Sequence, residues 1–338
     1  AEKPRPVQVS ADEMFLRDRV DVAEAVIDVK RDCGAKGDGS SDDTREIQRC
    51  LERAESEDNP AVVYFPSGTY RISRTVHTPP GARFQIDGSG WHSQIVAASG
   101  MTGPVLHIDN PNGLKVTHLA LGTDAGHVTL LQTGSKPGSV YYSNIYGYAD
   151  DENKKVSIEF ADLPAGTLIQ SDHLDGRLRI RNSSQAVIVL GFLASVQTTI
   201  EGGSPQSGFL GILSRASALS DFPLVVKDNQ SLVQTDWYNE QTSHLSLLQG
   251  GASADGRVVL DNTEARTTDA VISEIDGVTG MLAQLGGIYG SPSRDASPRI
   301  RVTGNKDVDI LLAGNSYWNK PPEIVPQESG KAHILANI

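Results

Sequence analysis

Apolar residues in this chain come in short bursts. Runs of three to six recur from Val62 to Leu312, among them Val62–Phe65, Val105–Ile108, Leu178–Ile180, Leu224–Val226, Val258–Leu260 and Ile300–Val302. Gly, Asn, Asp, Ser or Pro bound most of them. Short length and turn residues on both sides favour strands joined by tight connections. One segment differs. Ile47, Leu51 and Ala54 recur at helical spacing behind Asp42, Asp43 and Thr44, which suit a helix cap and first turn. The pattern predicts one short helix over residues 42–55. No longer segment reads as a crossover helix, which argues against βαβ folds. A sandwich, a propeller or a solenoid would each accommodate many short strands.

Composition narrows the function more than the fold. The 338 residues carry 30 Lys+Arg and 42 Asp+Glu, a formal charge of 30 − 42 = −12. That disfavours nucleic acid and anionic membranes as partners, since both need a basic surface. No apolar run is long enough to suggest a transmembrane helix. The first residue is Ala1 rather than Met, which a removed signal peptide or a recombinant start would each explain. Cys33 and Cys50 flank the polar loop before the helix and are either a disulfide or two buried thiols. No Cys/His spacing resembles a zinc site.

Residues 30–73 decide among the β architectures. Gly34-Ala35-Lys36-Gly37-Asp38-Gly39 is followed by Asp42-Asp43-Thr44, then Ile47-Gln48 on the helix, then Val63-Tyr64-Phe65-Pro66-Ser67-Gly68-Thr69-Tyr70. This order resembles the N-terminal signature of the pectate-lyase-like superfamily. The resemblance implies an all-β, single-stranded right-handed parallel β-helix with a short N-terminal capping helix. Residues 28–338 would form that domain, and residues 1–27 an arm packed outside it, anchored by Met14-Phe15-Leu16. Each coil would bury its inward residues against the coils above and below. Asp38, Asp42 and Asp43 read as turn and cap residues rather than a metal cluster. The signature does not fix a reaction, because hydrolases, lyases, epimerases and tail spikes share it. Two features of polygalacturonases are present, Asp150-Asp151 and Arg179-Ile180-Arg181, but N-T-D and G-H-G are absent. Asp172-His173 only faintly matches the lyase strand W-I-D-H. No catalytic residue therefore carries over.

The candidate chemistry comes from polar clusters. Asp236-Trp237-Tyr238-Asn239-Glu240, with His244 close behind, offers the two carboxylates that glycoside hydrolysis needs. Asp236, Glu240 and His244 are the expected catalytic groups. One of the acids could instead pair with Asp261, Glu264, Asp269, Glu274 or Asp276 on a neighbouring coil. Aromatic knots recur at Tyr146, Trp237-Tyr238, Tyr289 and Tyr317-Trp318. Stacked on one face, such rings would cover the apolar patches of sugars. Trp237, Tyr238, Asn239 and Tyr289 are the expected substrate contacts. Arg177, Arg179 and Arg181 alternate, which would set a basic stripe on one strand face, as a uronate-cleaving lyase would need. Arg177 and Arg179 join the substrate-binding set on that ground. No cofactor is required by this reading, and calcium is the one ion a lyase site would admit. The expectation is a secreted, periplasmic or cell-surface enzyme acting on a polysaccharide or oligosaccharide, as a monomer or homotrimer. A hydrolase is preferred to a lyase, and a non-catalytic glycan-binding spike is the reading from another class.

Overall fold

The computed structural model describes residues 25–337 except 57–60, 124–127, 136–139, 150–155, 172–173, 184–186, 191–192, 195–196, 203–207, 213–214, 217–221, 229, 236, 252–255, 270, 291–297, 305–306, 318–319, 321 and 327–330. The expected N-terminal arm lies outside the described residues except at its end. There the strand Ala25–Asp28 already pairs in parallel with Ala61–Phe65, so the stack starts three residues before the expected boundary at 28.

Every strand pairing described is parallel, and partners lie one coil apart in sequence. The chain winds through three faces. The first runs from Ala25–Asp28 through Gln85–Ala97 and Val140–Ala149 to Asp307–Ala313 and Lys331–Asn337. The second holds Asp38–Asp42, Gly68–Ile72 and, later, Tyr238–Thr242, Glu264–Thr267, Ile288–Gly290 and Ser316–Tyr317. The third is an 11-stranded ladder from Val76–His77 to Glu323–Pro326. This is the parallel β-helix expected from the sequence.

The period-two alternation of strands aligns one inward residue per coil. On the third face one such column reads Ile108, Gln132, Phe160, Ile180, Ile200, Val226, Leu248, Ile275 and Val302, every one of them buried. Each aliphatic side chain so buried contributes about 1.5–3 kcal/mol. Gln132 is the polar exception, and its amide oxygen accepts a 2.6 Å bond from the buried Tyr142 hydroxyl. Coils can be as short as 20 residues, from Ile158 to Leu178 to Thr198, because their connections are short: only residues 176 and 177 separate Leu174–Asp175 from Leu178–Arg181. The corner between the first and second faces turns on one left-handed residue inside a continuous strand, His118 of Lys115–Thr123 in one coil and Asn144 of Val140–Ala149 in the next, with φ of 54° and 51°. Asn, Asp and Gly tolerate this conformation best.

The helix Thr44–Ser56 closes one end of the stack. Ile47, Cys50, Leu51 and Ala54 are its buried residues, the stripe read from the sequence. Gln48 has a more specific task. Its amide oxygen accepts from the His77 N–H at 2.9 Å, and its amide nitrogen donates to the His77 carbonyl at 3.1 Å. One side chain thereby imitates the missing neighbour of the third face and satisfies an edge that would otherwise be open. Cys33 and Cys50 form a disulfide that ties the helix to the preceding loop. The acidic residues of the signature are structural, as expected. The Asp43 carboxylate accepts from the Lys36 and Gly37 N–H groups, and Asp38 accepts from Ser40 and Ser41. Burial opposes ionisation of Asp42, but hydrogen bonds from Ser73 and Thr44 outweigh it and hold its pKa at about 2.

Candidate functional site

The corner between the first and second faces carries an exposed aromatic ring near ionisable groups. The long strand Gln85–Ala97 passes through it with register shifts between Asp87 and Gly90 and between Gly90 and Gln94. Extra residues at such a bulge leave the ladder and point outward. Gly88 makes the close approach there: a Cβ on it would fall 2.5 Å from the His118 carbonyl of the next coil. The residue pushed out is Trp91, 49% exposed. Its ring lies on that of Tyr146, with centroids 4.1 Å apart and planes 28° from parallel. Beside this pair the Asp87 carboxylate accepts from the Thr117 hydroxyl at 2.6 Å and meets the His118 Nδ1 at 2.9 Å. The Tyr64 and Ser89 hydroxyls bond each other at 3.0 Å. An apolar ring face next to an acid, an imidazole and hydroxyls can hold a sugar ring by its C–H face and its hydroxyls.

Sequence reasoning passed over Trp91, Asp87 and His118. Gly88-Ser89-Gly90 was the available signal, because glycines inside a strand mark a bulge as well as a turn.

The expected catalytic cluster divides. Asp236 and the side chain of Glu240 lie outside the described residues; the Glu240 backbone stands in the strand Tyr238–Thr242, in register with Arg266. His244 is described. Its ring stacks on Phe222 with centroids 4.4 Å apart, and its Nε2 is 3.8 Å from the Asp269 carboxylate. Of the other acids named as partners, Glu264 pairs with Arg266, Glu274 with Arg301, and Asp276 accepts from the Thr303 hydroxyl.

The expected sugar contacts need correction. Trp237, Asn239 and Tyr289 are 4%, 0% and 1% exposed, so they pack inside the coils and cannot lie against a glycan on the surface. Alternation puts Trp237 and Asn239 on one side of the strand and Tyr238 on the other, so the three could not all face a sugar. Tyr238 is the half-exposed member, in register with Glu264 and Ile288 on the outer surface.

The basic stripe also changes meaning. Arg179 and Arg181 both bond Glu159, whose side chain is 5% exposed, and Arg179 lies 3.6 Å from Glu201. Lys227 joins Glu201 at 3.1 Å. Arg177 donates to the Gln197 amide oxygen at 3.1 Å, and burial lowers its pKa. These guanidinium groups are engaged within the third face, and a uronate binding Arg179 would have to displace Glu159 from a largely buried network. The loop holding Asp172 and His173 lies outside the described residues. Among the described residues no three of His, Cys, Asp or Glu converge to hold a metal ion. No helix among them is long and apolar enough to cross a membrane.

Comparison with known proteins supports the architecture. Residues 26–160 match the family described as rhamnogalacturonase A/epimerase, pectate lyase-like. A glucan 1,3-beta-glucosidase of Cochliobolus carbonum is 30% identical over 115 residues, 32% of this chain and 13% of that protein's length. The endo-xylogalacturonan hydrolase of Aspergillus tubingensis superposes with a TM-score of 0.55 at 13% identity, over 92% of this chain and 95% of its own. The tailspike gp61 of Pseudomonas phage phi297 also gives 0.55, at 10% identity, over 88% and 76% of the two chains. The matched segment, 26–160, is similar to that family, and over most of the chain the solved structures share the parallel β-helix fold.

Proposed function

We propose that this protein is a glycoside hydrolase acting on a polysaccharide laid along the corner between the first and second faces. The observation that carries the reading is the exposed Trp91 ring stacked on Tyr146 beside the Asp87–His118 pair. Trp91 and Tyr146 form a platform for one sugar ring. Asp236 and Glu240 are taken as the acid and the second carboxylate, and His244, 3.8 Å from the Asp269 carboxylate, stands past the end of the same strand, between Tyr238–Thr242 and Ser246–Gln249. Successive coils are spaced about 4.8 Å apart, so a corner crossed by several coils suits an extended chain better than a disaccharide. The partial relative among glucan 1,3-beta-glucosidases makes a β-1,3-glucan the first substrate to try. Such an enzyme would work outside the cell or at its surface.

A lyase loses support because Arg179 and Arg181 are already paired with Glu159. A non-catalytic glycan-binding protein is favoured by one observation: the aromatic platform needs no carboxylate pair to bind sugar. The two are separated by incubating the protein with a polysaccharide panel that includes β-1,3-glucan. Reducing ends and absorbance of unsaturated uronate are then recorded. Reducing ends alone mean hydrolysis. The Glu240→Gln variant then loses turnover by about a thousandfold or more with an unchanged melting temperature. Full activity in that variant would remove Glu240 from the site. Absence of both signals, with glycan binding that depends on Trp91, would leave the binding protein.

A further inference from the structure

A second site lies at the capped end of the stack, apart from the corner just described. A cavity of about 750 Å³ opens between the outer side of the helix Thr44–Ser56 and two successive connections of the coils. The helix contributes Thr44, Arg45, Gln48, Arg49 and Glu52, which follow one stripe of its surface. The connections contribute Ser73, Arg74, Thr75 and His77 from one coil and Met101, Thr102 and Gly103 from the next. The two connections touch where Gly103 meets Thr75; a Cβ at Gly103 would fall 2.4 Å from the Thr75 hydroxyl oxygen. Buried Met101 gives an apolar patch to an otherwise polar lining.

Charge sets this cavity apart from the rest of an acidic protein. Arg45, Arg49 and Arg74 surround it, against the single carboxylate of Glu52. Arg49 donates to the Cys33 carbonyl, and Glu52 accepts a 3.3 Å bond from Gln48. Arg45 and Arg74 have no hydrogen bond or ion pair to any other described residue. Arg45 and Arg49 are also four residues apart on the helix, where like charges repel and cost a few tenths of a kcal/mol in an isolated helix. Nothing in the packing of the cap requires a cation at 45 or 74, since Ile47, Cys50, Leu51 and Ala54 make the buried contacts.

We propose that this cavity binds a sugar-sized ligand carrying an oxyanion, either a carboxylate or a phosphate. Planar guanidinium groups match both anions by paired hydrogen bonds. The volume suits a small ligand. The hydroxyls of Thr75 and Thr102 match the hydroxyls of a sugar ring, while the Ser73 hydroxyl already donates to Asp42. The site is independent of the hydrolase reading, because none of its residues belongs to the corner of Trp91 or to the cluster around Glu240.

Calorimetric titration of the full chain at low salt tests it with four probes: glucuronate, glucose 6-phosphate, glucose and inorganic phosphate. One or both of the anionic sugars should bind at least about tenfold more tightly than glucose, as hydrogen bonds to a charged group imply. Which of the two binds identifies the anion. Arg45→Ala and Arg74→Ala should each weaken that binding by about tenfold at an unchanged melting temperature. Arg74→Gln serves as a second variant that keeps the length of the side chain. Equal binding of glucose would overturn the proposal, as would binding unaffected by either arginine. Inorganic phosphate binding as tightly as the sugar phosphate would overturn the sugar-sized ligand.

Discussion

Two stacked aromatic pairs sit on the same solenoid with opposite exposures. Trp91 lies on Tyr146 at 4.1 Å, and Trp91 is half open to solvent. Tyr289 lies on Tyr317 at 5.8 Å, and Tyr289 is buried. Burial pushes the hydroxyl pKa of Tyr289 and Tyr317 upward, Tyr289 more strongly. In both cases stacking of coils brings together rings from separate strands. What differs is the side of the strand. A bulge extrudes Trp91, whereas an unbroken ladder from Ala265 to Tyr289 to Tyr317 keeps the later rings inside. An aromatic next to Gly and Asn therefore says little about sugar binding until the side of the strand is known.

The comparison makes its strongest claim about Tyr289. Tyr289→Ala should lower stability by about 3–5 kcal/mol, as other large-to-small core substitutions do, in urea unfolding monitored by circular dichroism. A loss below about 1 kcal/mol would mean that the ring is not a core element. The first coils hold together by other means, and the covalent tie is the largest. Cys33 and Cys50 are 17 residues apart, and a loop of that size gives a disulfide worth about 3 kcal/mol in the chain-entropy account. Replacing both by Ser should cost about that much, read as a lower unfolding midpoint. Tyr289→Ala and the double Ser variant should add, because the sites are far apart.

Trp91→Ala should behave as the converse of Tyr289→Ala. Its effect on stability should stay within about 0.5 kcal/mol. Its effect on glycan affinity should be about tenfold, read in KM or in a binding titration, from the loss of one stacking surface. A variant that unfolds easily but binds normally would reverse the roles assigned to the two pairs.

The smallest effect expected is a pH dependence confined to the early coils. Burial, then the nearby His77, lowers the pKa of His107, while Asp109 acts in the other direction. The two imidazole Nδ1 atoms are 3.1 Å apart, and the His107 Nε2 is 2.8 Å from the Thr133 hydroxyl. The unfolded chain takes up this proton more readily than the folded one. Stability should therefore decline as pH falls below the ordinary imidazole value of about 6.5, and level off below the lowered folded value. Melting temperatures measured between pH 7.5 and 5 check this, and His107→Gln should flatten the profile in that window.

Much of this fold was legible in the chain. The signature from Gly34 to Tyr70 pointed to the β-helix, and the stripe of Ile47, Leu51 and Ala54 gave the cap. The stacking partners were not legible, because parallel coils here share no literal repeat and their lengths vary with each connection. The sites suffered from that gap. Arg179 and Arg181 looked free because Glu159, one coil earlier, could not be matched to them. Trp237 and Asn239 looked accessible because an alternating strand has two sides, and polar neighbours such as Asp236 and Glu240 did not reveal which side met the core. Glycines at 88 and 90, inside a strand, mark the bulge that extrudes Trp91.

The single-residue corner has a bearing on how such a protein changes over time. Because His118 and Asn144 turn the chain inside continuous strands, the edge they form has no spare length in those coils. Variation in length is left to the other connections, as the segment from Ala98 to Val105 illustrates. Splicing or trimming there would alter what the molecule touches while the spine keeps its spacing, so new specificities need not be bought with a new scaffold.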